Sequence, residues 1–188
     1  MKKTLIAILI LIWNYSNAQS SYFPLTKGTT LSYAFGSEIY GGTPYENYKC
    51  EVTILENTET IDGKEYFVSE SITGTNKDNQ TIITSYFRYR TDGTLISKAT
   101  KNSEEIVVMN TVQKVGDTYS SQNNGITKVI DLSATIKTPV STYSDCLVLE
   151  TNENQTITRI YYKRNIGMIA TTLIKDDKEM IFIYLEKE

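Results

Sequence analysis

The sequence of 188 residues contains no histidine, and that absence excludes much of the chemistry an enzyme could use. Histidine is the side chain most often used for proton transfer near neutral pH, so serine and cysteine triads built on an imidazole are excluded. The common zinc and non-haem iron sites are excluded too, because the two cysteines cannot replace the missing ligands. We therefore predict no metal site, no cofactor and no catalytic residue.

Cysteine is scarce as well, and the two residues of this type, Cys50 and Cys146, lie in stretches that alternate apolar and polar residues. In an oxidising compartment an even pair favours a disulfide, here one that closes a very long loop. The alternative is two buried thiols that act as small apolar side chains. The sequence leaves both alternatives open.

Long apolar runs are absent except for residues 4–13, which follow two lysines and precede Ser16-Asn17-Ala18. This is the three-part pattern of a cleavable signal peptide, and we predict cleavage after Ala18. The run is about half the roughly 20 residues that span a bilayer, so we expect no stable membrane insertion after cleavage. No cysteine precedes Cys50, so we also expect no lipid anchor. The product is predicted to be periplasmic or secreted.

Proline is rare and low-complexity sequence is missing, so no internal linker is predicted and residues 19–188 are expected to form a single antiparallel β domain. Removing residues 1–18 takes two of the 19 basic residues and none of the 22 acidic ones, which leaves 17 against 22 and a net charge of −5. A mildly acidic protein is a poor ligand for nucleic acid or for an anionic membrane surface, because both favour basic patches.

What is present is a series of short β-like segments separated by Gly, Asn and Asp turns at a spacing of about ten residues. Asp62-Gly63 and Asp92-Gly93 are typical of β-turns and hairpins. This pattern predicts an all-β antiparallel meander that curls into a barrel or sandwich. The predicted strands are 48–55, 64–73, 81–90, 95–96, 105–111, 126–136, 143–151, 156–164, 168–175 and 179–186, with a further strand from Leu31.

Three segments, 22–33, 137–150 and 161–169, resemble signatures of the TapB-like family of secreted bacterial proteins. The first begins Tyr-Phe-Pro-Leu and has Leu31 where the family has an aromatic residue. In the other two, Ser141 and Asn165 stand where glycine is usual. Asparagine tolerates a left-handed backbone well, so we predict a turn with positive φ at Asn165.

The resemblance implies a fold more than an activity. Proteins of this family are secreted or periplasmic, and their fold is similar to the half-barrel of lipoprotein carriers. The family supplies no catalytic residues, since its signatures are Pro, Gly and aromatic positions. We expect Phe23 and Leu25 to cap one end of the core and Gly28 to turn the chain into the first strand.

A sheet that curls around a concavity could bind a lipid or another apolar molecule, although a filled core is the commoner use of such residues. The candidate lining residues are Met109, Ile160, Met168, Met180 and Phe182. A second candidate is an aromatic and basic stripe that could stack sugars, or that could simply pair across strands. Its residues are Tyr86, Arg88, Tyr89, Arg90, Tyr162 and Arg164.

Our functional hypothesis is a non-enzymatic periplasmic or secreted protein that binds an apolar or lipidic ligand, or another envelope protein. The alternative is an enzyme that uses carboxylates on carbohydrate or peptidoglycan, for which Glu104, Glu105 and Glu150 are candidates. That chemistry needs two acids about 5 to 9 Å apart in a cleft, and the sequence spacing does not indicate such a pair.

Overall fold

The computed structural model describes residues 21–36, 48–74, 79–120, 125–153 and 156–187, and the predicted signal peptide lies outside these ranges. In this part of the chain there are twelve β-strands and no helix, so no helical segment that could cross a membrane is found there. The strands are β1 (Thr30–Phe35), β2 (Lys49–Ile61), β3 (Lys64–Gly74), β4 (Gln80–Tyr89), β5 (Leu95–Lys98), β6 (Ile106–Met109), β7 (Thr118–Ser120), β8 (Ile126–Lys137), β9 (Thr142–Glu153), β10 (Thr156–Lys163), β11 (Gly167–Lys175) and β12 (Lys178–Lys187).

All twelve strands form one antiparallel sheet in the order β6-β5-β4-β3-β2-β1-β12-β11-β10-β9-β8-β7. Strands that follow each other in sequence are neighbours in the sheet, except β6 and β7, which form its two edges. At the centre of the sheet, β1 pairs with β12. The sheet thus consists of two meanders of six strands that the first and last strands join. The predicted all-β class, an antiparallel meander curled into a barrel-like sheet, is confirmed.

The sheet nearly closes on itself, and the unsealed seam lies between the edge strands β6 and β7. Across the described residues no ladder of backbone hydrogen bonds joins these two strands. Side chains bridge them instead, because Leu95 and Met109 on one side pack in the same buried cluster as Tyr119 and Val129 on the other. Apolar packing therefore holds the seam where backbone pairing does not.

The hairpin turns are formed by residues that adopt a left-handed backbone. Asp62 and Gly63, between β2 and β3, have φ of 51° and 72°, as a two-residue type I′ turn requires. Asp176 and Asp177, with φ of 50° and 58°, turn the chain between β11 and β12 in the same way. The prediction for Asn165 is confirmed, since its φ is 66°.

Buried apolar side chains form two large clusters and one small one. Tyr33, Ile169 and Leu185 belong to the first cluster, and Leu147 and Tyr162 belong to the second. The third contains Ile61, Tyr66, Val68 and Tyr86. Tyr86 points away from its neighbour Phe87, which packs against the second cluster, because consecutive residues of a strand face opposite sides of the sheet. The third cluster therefore lies on the outer face.

Both cysteines are free, buried thiols, which corresponds to the second of the two alternatives above, and the disulfide is not formed. Cys50 lies on β2 and Cys146 on β9, five positions apart in the order of the sheet. Burial raises the pKa of the Cys146 thiol. A raised pKa leaves little thiolate at neutral pH, so this cysteine is a poor nucleophile.

Most predicted strands agree with the structure to within a few residues, and two differences have physical reasons. Strand β2 continues to Ile61, past the predicted end at Leu55, because an irregularity between Ile54 and Thr58 interrupts the alternation without ending the strand. The sequence does not predict β7, which is only three residues long and pairs on one side only, with β8.

Candidate functional site

An apolar cavity of about 180 Å³ lies where the segment before β1 meets the turn between β10 and β11. None of the described side chains that line it carries a charge. The lining residues are Phe23, Pro24, Thr29, Leu31, Tyr33, Val52, Ile54, Tyr162, Ile166, Gly167 and Met168.

The chain before β1 is fixed against β2 by two backbone hydrogen bonds. The N–H of Gly28 donates to the carbonyl of Ile54 over 2.8 Å, and the N–H of Ile54 donates to the carbonyl of Thr29 over 2.9 Å. Gly28 has φ of 76°, a conformation that glycine adopts without steric cost. This turn leads into β1 at Thr30, close to the predicted start of the strand.

The first described residues are held from two further directions. The N–H of Asn165, in the β10–β11 turn, donates to the carbonyl of Ser21 over 2.8 Å. The hydroxyl of Tyr89 on β4 donates to the carbonyl of Phe23 over 2.6 Å. The rings of Phe23 and Phe87 lie 4.9 Å apart. Segment 21–29 therefore connects β2, β4 and the β10–β11 turn, and it forms one wall of the cavity.

Two tyrosines bring hydroxyl groups to the cavity wall. Tyr33 is 2% exposed, and its hydroxyl donates to the backbone carbonyl of Met168 over 3.1 Å. Tyr162 is 7% exposed, and none of the described residues forms a hydrogen bond with its hydroxyl. Burial raises the pKa of Tyr162 to about 12, so this hydroxyl keeps its proton across the physiological range.

The five predicted lining residues are not brought together. Met168 lines the cavity, whereas Met109 and Ile160 pack within or against the second buried cluster. Phe182 packs edge-on against Phe35, with ring centroids 5.5 Å apart. Met180 is half-buried opposite Leu173 in the β11–β12 hairpin. The structure thus shows ordinary core and sheet packing for Met109, Ile160, Phe182 and Met180.

The predicted aromatic and basic stripe is divided between the two faces of the sheet. Tyr86 is buried in the outer-face cluster, and Arg88 and Arg90 approach Glu105 on that same face. Tyr89 belongs to the opposite face with Phe87 and contacts segment 21–29. In the second part of the stripe, Tyr162 lines the cavity, and the guanidinium of Arg164 lies 4.3 Å from the ring centroid of Tyr22. The stripe therefore forms no continuous stacking platform.

Glu105, in the connection from β5 to β6, is the centre of a polar cluster on the outer face, which we call the Glu105 cluster. Its carboxylate accepts hydrogen bonds from the Tyr66 hydroxyl, from Arg88 over 2.7 and 3.0 Å, and from Lys64 over 3.1 Å. Arg90 lies 3.6 Å away. Burial alone would raise the pKa of Glu105, but these hydrogen bonds and the charge of Arg88 lower it to about 2.

A more open and more polar groove of about 370 Å³ lies beside Tyr22. Lys163 in this groove donates to the carbonyl of Ser144 over 2.6 Å and lies 3.7 Å from the carboxylate of Asp145. The groove therefore presents groups that already interact with one another. Its other lining residues are Gln113, Leu132 and Arg164.

The candidate acids of the enzyme alternative are separated in the structure. Glu104 is exposed, Glu105 is held in its cluster, and Glu150 on β9 accepts a hydrogen bond from Arg159 over 2.9 Å. Glu179 accepts from the same guanidinium over 3.0 Å. No local pattern in the sequence pairs Glu150 with Glu179, although the register of β9, β10, β11 and β12 places both near Arg159. Among the described residues no group of His, Cys, Asp and Glu could hold a metal ion.

Most of the cavity wall is not among the predicted site residues, although it comes from two segments that the sequence marks as signatures. All lining residues except Val52 and Ile54 come from segments 22–33 and 161–169. In the sequence, both segments have the Pro, Gly and aromatic residues of folding signatures. Their meeting point depends on the pairing of β1 with β12 and of β12 with β11, which no local pattern in the sequence reveals.

No protein-family model and no curated protein matches this sequence. Two solved structures share the fold. One, from Bacteroides fragilis, is provisionally described as an exported protein with a YmcC-like fold, and it is 10% identical with a TM-score of 0.53. The other, from Parabacteroides distasonis, is provisionally described as a lipoprotein, and it is 14% identical with a TM-score of 0.53. Each alignment covers 89% of this chain and 98% of the other chain.

At these identities the likeness concerns the fold alone. It agrees with the barrel-like antiparallel sheet that the sequence predicts, and it relates this fold to proteins described as exported. The narrower resemblance to the TapB-like family has no matching family model and stays a prediction.

Proposed function

We propose that this chain is an exported, non-catalytic protein of the cell envelope that binds an apolar small molecule, or the end of a lipid chain, in the cavity beside Tyr33 and Tyr162. The observation that carries the proposal is the uncharged, largely apolar wall of that cavity. Cavities lined in this way by apolar and aromatic side chains with a few polar groups are typical of small-molecule sites.

The size of the cavity restricts the range of ligands that it can hold. A buried apolar cavity of about 150 Å³ accommodates benzene, so about 180 Å³ is room for one ring or a short alkyl segment. Sites for drug-sized ligands are larger, roughly 300–1,000 Å³. The cavity therefore encloses only the end of an acyl chain and not the whole chain. If the ligand is a lipid, we therefore propose that only the end of its chain enters the cavity.

Export is the second part of the proposal. The predicted signal peptide supports it, and so does the fold shared with two proteins described as an exported protein and a lipoprotein. For this chain we propose a product cleaved after Ala18 and without a lipid anchor, because its first cysteine is Cys50.

The charged side chains support a non-catalytic role. A general acid in glycoside hydrolysis needs a raised pKa, whereas the pKa of Glu105 is lowered to about 2. Glu150 and Glu179 each form an ion pair with the guanidinium of Arg159, at 2.9 and 3.0 Å. The carboxylates thus act as partners of arginine and tyrosine in the sheet.

A protein partner is the second candidate, and the edge strands β6 and β7 favour it, since each has one side without a ladder among the described residues. Edge strands can accept a strand from another chain. They are only four and three residues long, however, and short edges are a common way of preventing such pairing. The cavity is therefore the better-supported site.

The test is titration of the mature protein, residues 19–188, with ethylbenzene, followed by isothermal calorimetry and by NMR shifts of the methionine methyl groups. We expect saturable binding at one site, with the largest shift at Met168. The variant Val52→Phe fills the cavity and should abolish binding, whereas Val107→Phe, at a half-buried valine outside the cavity wall, should preserve it. Cooperative thermal unfolding of both variants verifies that they fold. Absence of binding to the wild type up to the solubility limit of ethylbenzene would refute the proposed site.

A further inference from the structure

The Tyr162 hydroxyl is a hydrogen-bond donor whose position calls for a partner. The residue is 7% exposed, yet the hydroxyl forms no hydrogen bond with any of the described residues. Leaving a buried donor unpaired costs about 1–3 kcal/mol, and most buried polar groups are therefore paired. A group that departs from this rule in a cavity wall is a candidate for ligand recognition.

The hydroxyl opens on the cavity rather than being sealed in the core. Among the described residues, every side-chain oxygen or nitrogen that is both buried and closed to solvent has a hydrogen-bond partner. The Tyr162 hydroxyl has none, so it cannot be closed off. Tyr162 is one of the residues that line the cavity, so we take this cavity as the space that its hydroxyl faces. Tyr33, on the same wall, has already donated its proton to the Met168 carbonyl.

Charge decides which kind of acceptor fits. No charged side chain lines the cavity among the described residues, so a carboxylate or phosphate inside it would lose its hydration without gaining a counter-ion. The hydroxyl stays protonated at physiological pH, so it offers its proton to an acceptor atom of the ligand. The acceptor must therefore be neutral, as in a ketone, an aldehyde, an ester or an ether.

A single water molecule fits this cavity less well than an apolar ligand with one acceptor oxygen. A buried water is typically held by two to four polar partners, and a cavity with a wall as apolar as this one offers few of them. A ligand that combines one acceptor oxygen with an apolar ring satisfies the hydroxyl and the wall together.

We propose that the cavity recognises a neutral, ring-sized apolar molecule with one oxygen acceptor, which accepts a hydrogen bond from the hydroxyl of Tyr162. The inference rests on the proposed function and names the ligand class of the same site. Tyr162 supplies the specificity, and the apolar wall formed by residues such as Leu31, Ile54 and Ile166 supplies most of the contact area.

The experiment compares acetophenone with ethylbenzene, which has the same skeleton with a methylene group in place of the carbonyl. The ratio of their dissociation constants is measured for the wild type, for Tyr162→Phe and for Tyr161→Phe. Tyr161 is the matched control, because its hydroxyl donates to Glu179 over 2.8 Å and the residue does not line the cavity. We expect Tyr162→Phe to weaken acetophenone relative to ethylbenzene by about three- to tenfold, the effect of one hydrogen bond. Tyr161→Phe should leave the ratio unchanged.

The outcomes separate this inference from the proposed function. If ethylbenzene binds and Tyr162→Phe leaves the ratio as in the wild type, the hydroxyl serves no ligand and the inference is overturned, while the apolar site stands. If neither compound binds the wild type, both proposals fail. If the fold of Tyr162→Phe is lost, Tyr162→Leu with the same ratio measurement replaces it, with the same expected loss of preference for acetophenone.

Discussion

The Glu105 cluster and the cavity beside Tyr162 both contain a buried tyrosine, but the two hydroxyls have opposite surroundings. Tyr66 is 1% exposed and donates to a carboxylate that also binds two arginines and a lysine. Tyr162 is almost as buried and donates to no described residue. In the Glu105 cluster the polar groups bind one another and stabilise the fold. In the cavity, the unpaired donor of Tyr162 is available to a ligand. The comparison predicts two roles for the same residue type, a structural one for Tyr66 and a ligand-binding one for Tyr162.

The largest effect is expected for the Glu105 cluster. Lowering the pKa of a carboxyl from 4.5 to about 2 corresponds to roughly 3 kcal/mol of stabilisation of the charged form, which partial exposure reduces. We expect Glu105→Gln to lower the free energy of unfolding at pH 7 by about 2 kcal/mol, measured by urea denaturation. The control is Glu104→Gln at the exposed neighbouring position, which should change stability by less than about 0.5 kcal/mol. Equal effects of the two substitutions would show that the cluster contributes nothing.

At acidic pH, the wild type and Glu105→Gln should become equally stable. The pKa of Glu105 is depressed in the folded state, so its contribution is complete above about pH 4.5 and disappears as the pH falls towards about 2. The difference in unfolding free energy between the wild type and Glu105→Gln should therefore shrink over this interval. Urea denaturation at pH 7, 4 and 2.5 measures it, and a difference that stays constant would contradict the assigned ionisation.

Substituting each tyrosine by phenylalanine tests the comparison directly. Tyr66→Phe removes a hydrogen bond to a charged group and should cost about 1.5 kcal/mol. Tyr162→Phe removes a hydroxyl that has no hydrogen-bond partner among the described residues, and it should leave the stability of the ligand-free protein unchanged or slightly higher. Thermal and urea unfolding of both variants provide the measurement. A loss at Tyr162 as large as that at Tyr66 would mean that its hydroxyl is satisfied within the fold.

A smaller effect is expected at the turn that borders the cavity. Asn165 has φ of 66°, and its N–H holds the carbonyl of Ser21. Asn165→Ala should cost about 1 kcal/mol, because alanine is strained in this conformation, and Asn165→Gly should cost only a few tenths. Urea denaturation of both variants measures the difference. An equal loss in the two would show that the asparagine side chain, rather than backbone conformation, is what matters there.

Much of the fold could be predicted from the sequence because its signals are local. Asp62-Gly63 and Asp92-Gly93 mark turns, and period-two alternation marks the strands between them. The alternation does not say which face of a strand becomes the inside, so Met180 and Phe182 were as plausible as lining residues as Met168 was. The positions that do line the cavity, such as Tyr33 and Gly167, are 134 residues apart in sequence and meet only through β12.

The sequence does not predict the Glu105 cluster either. Its acid lies in a connection just before β6, while Lys64, Tyr66 and Arg88 come from β3 and β4. Arg88 and Arg90 belong to the predicted basic and aromatic stripe, but the residue that neutralises them, Glu105, is distant in sequence. Long-range pairing of this kind needs the register of the sheet.

The seam between β6 and β7 has a consequence for how the chain can be rearranged. Because β1 and β12 pair at the centre of the sheet, the beginning of the first strand lies beside the end of the last one. The connection 110–117 is the place where the order of strands is interrupted instead. A circular permutant that joins residue 187 to residue 21 by a linker and opens between residues 110 and 117 would retain every strand ladder of the described sheet. New chain ends can thus be placed at the seam between β6 and β7 without breaking a strand ladder.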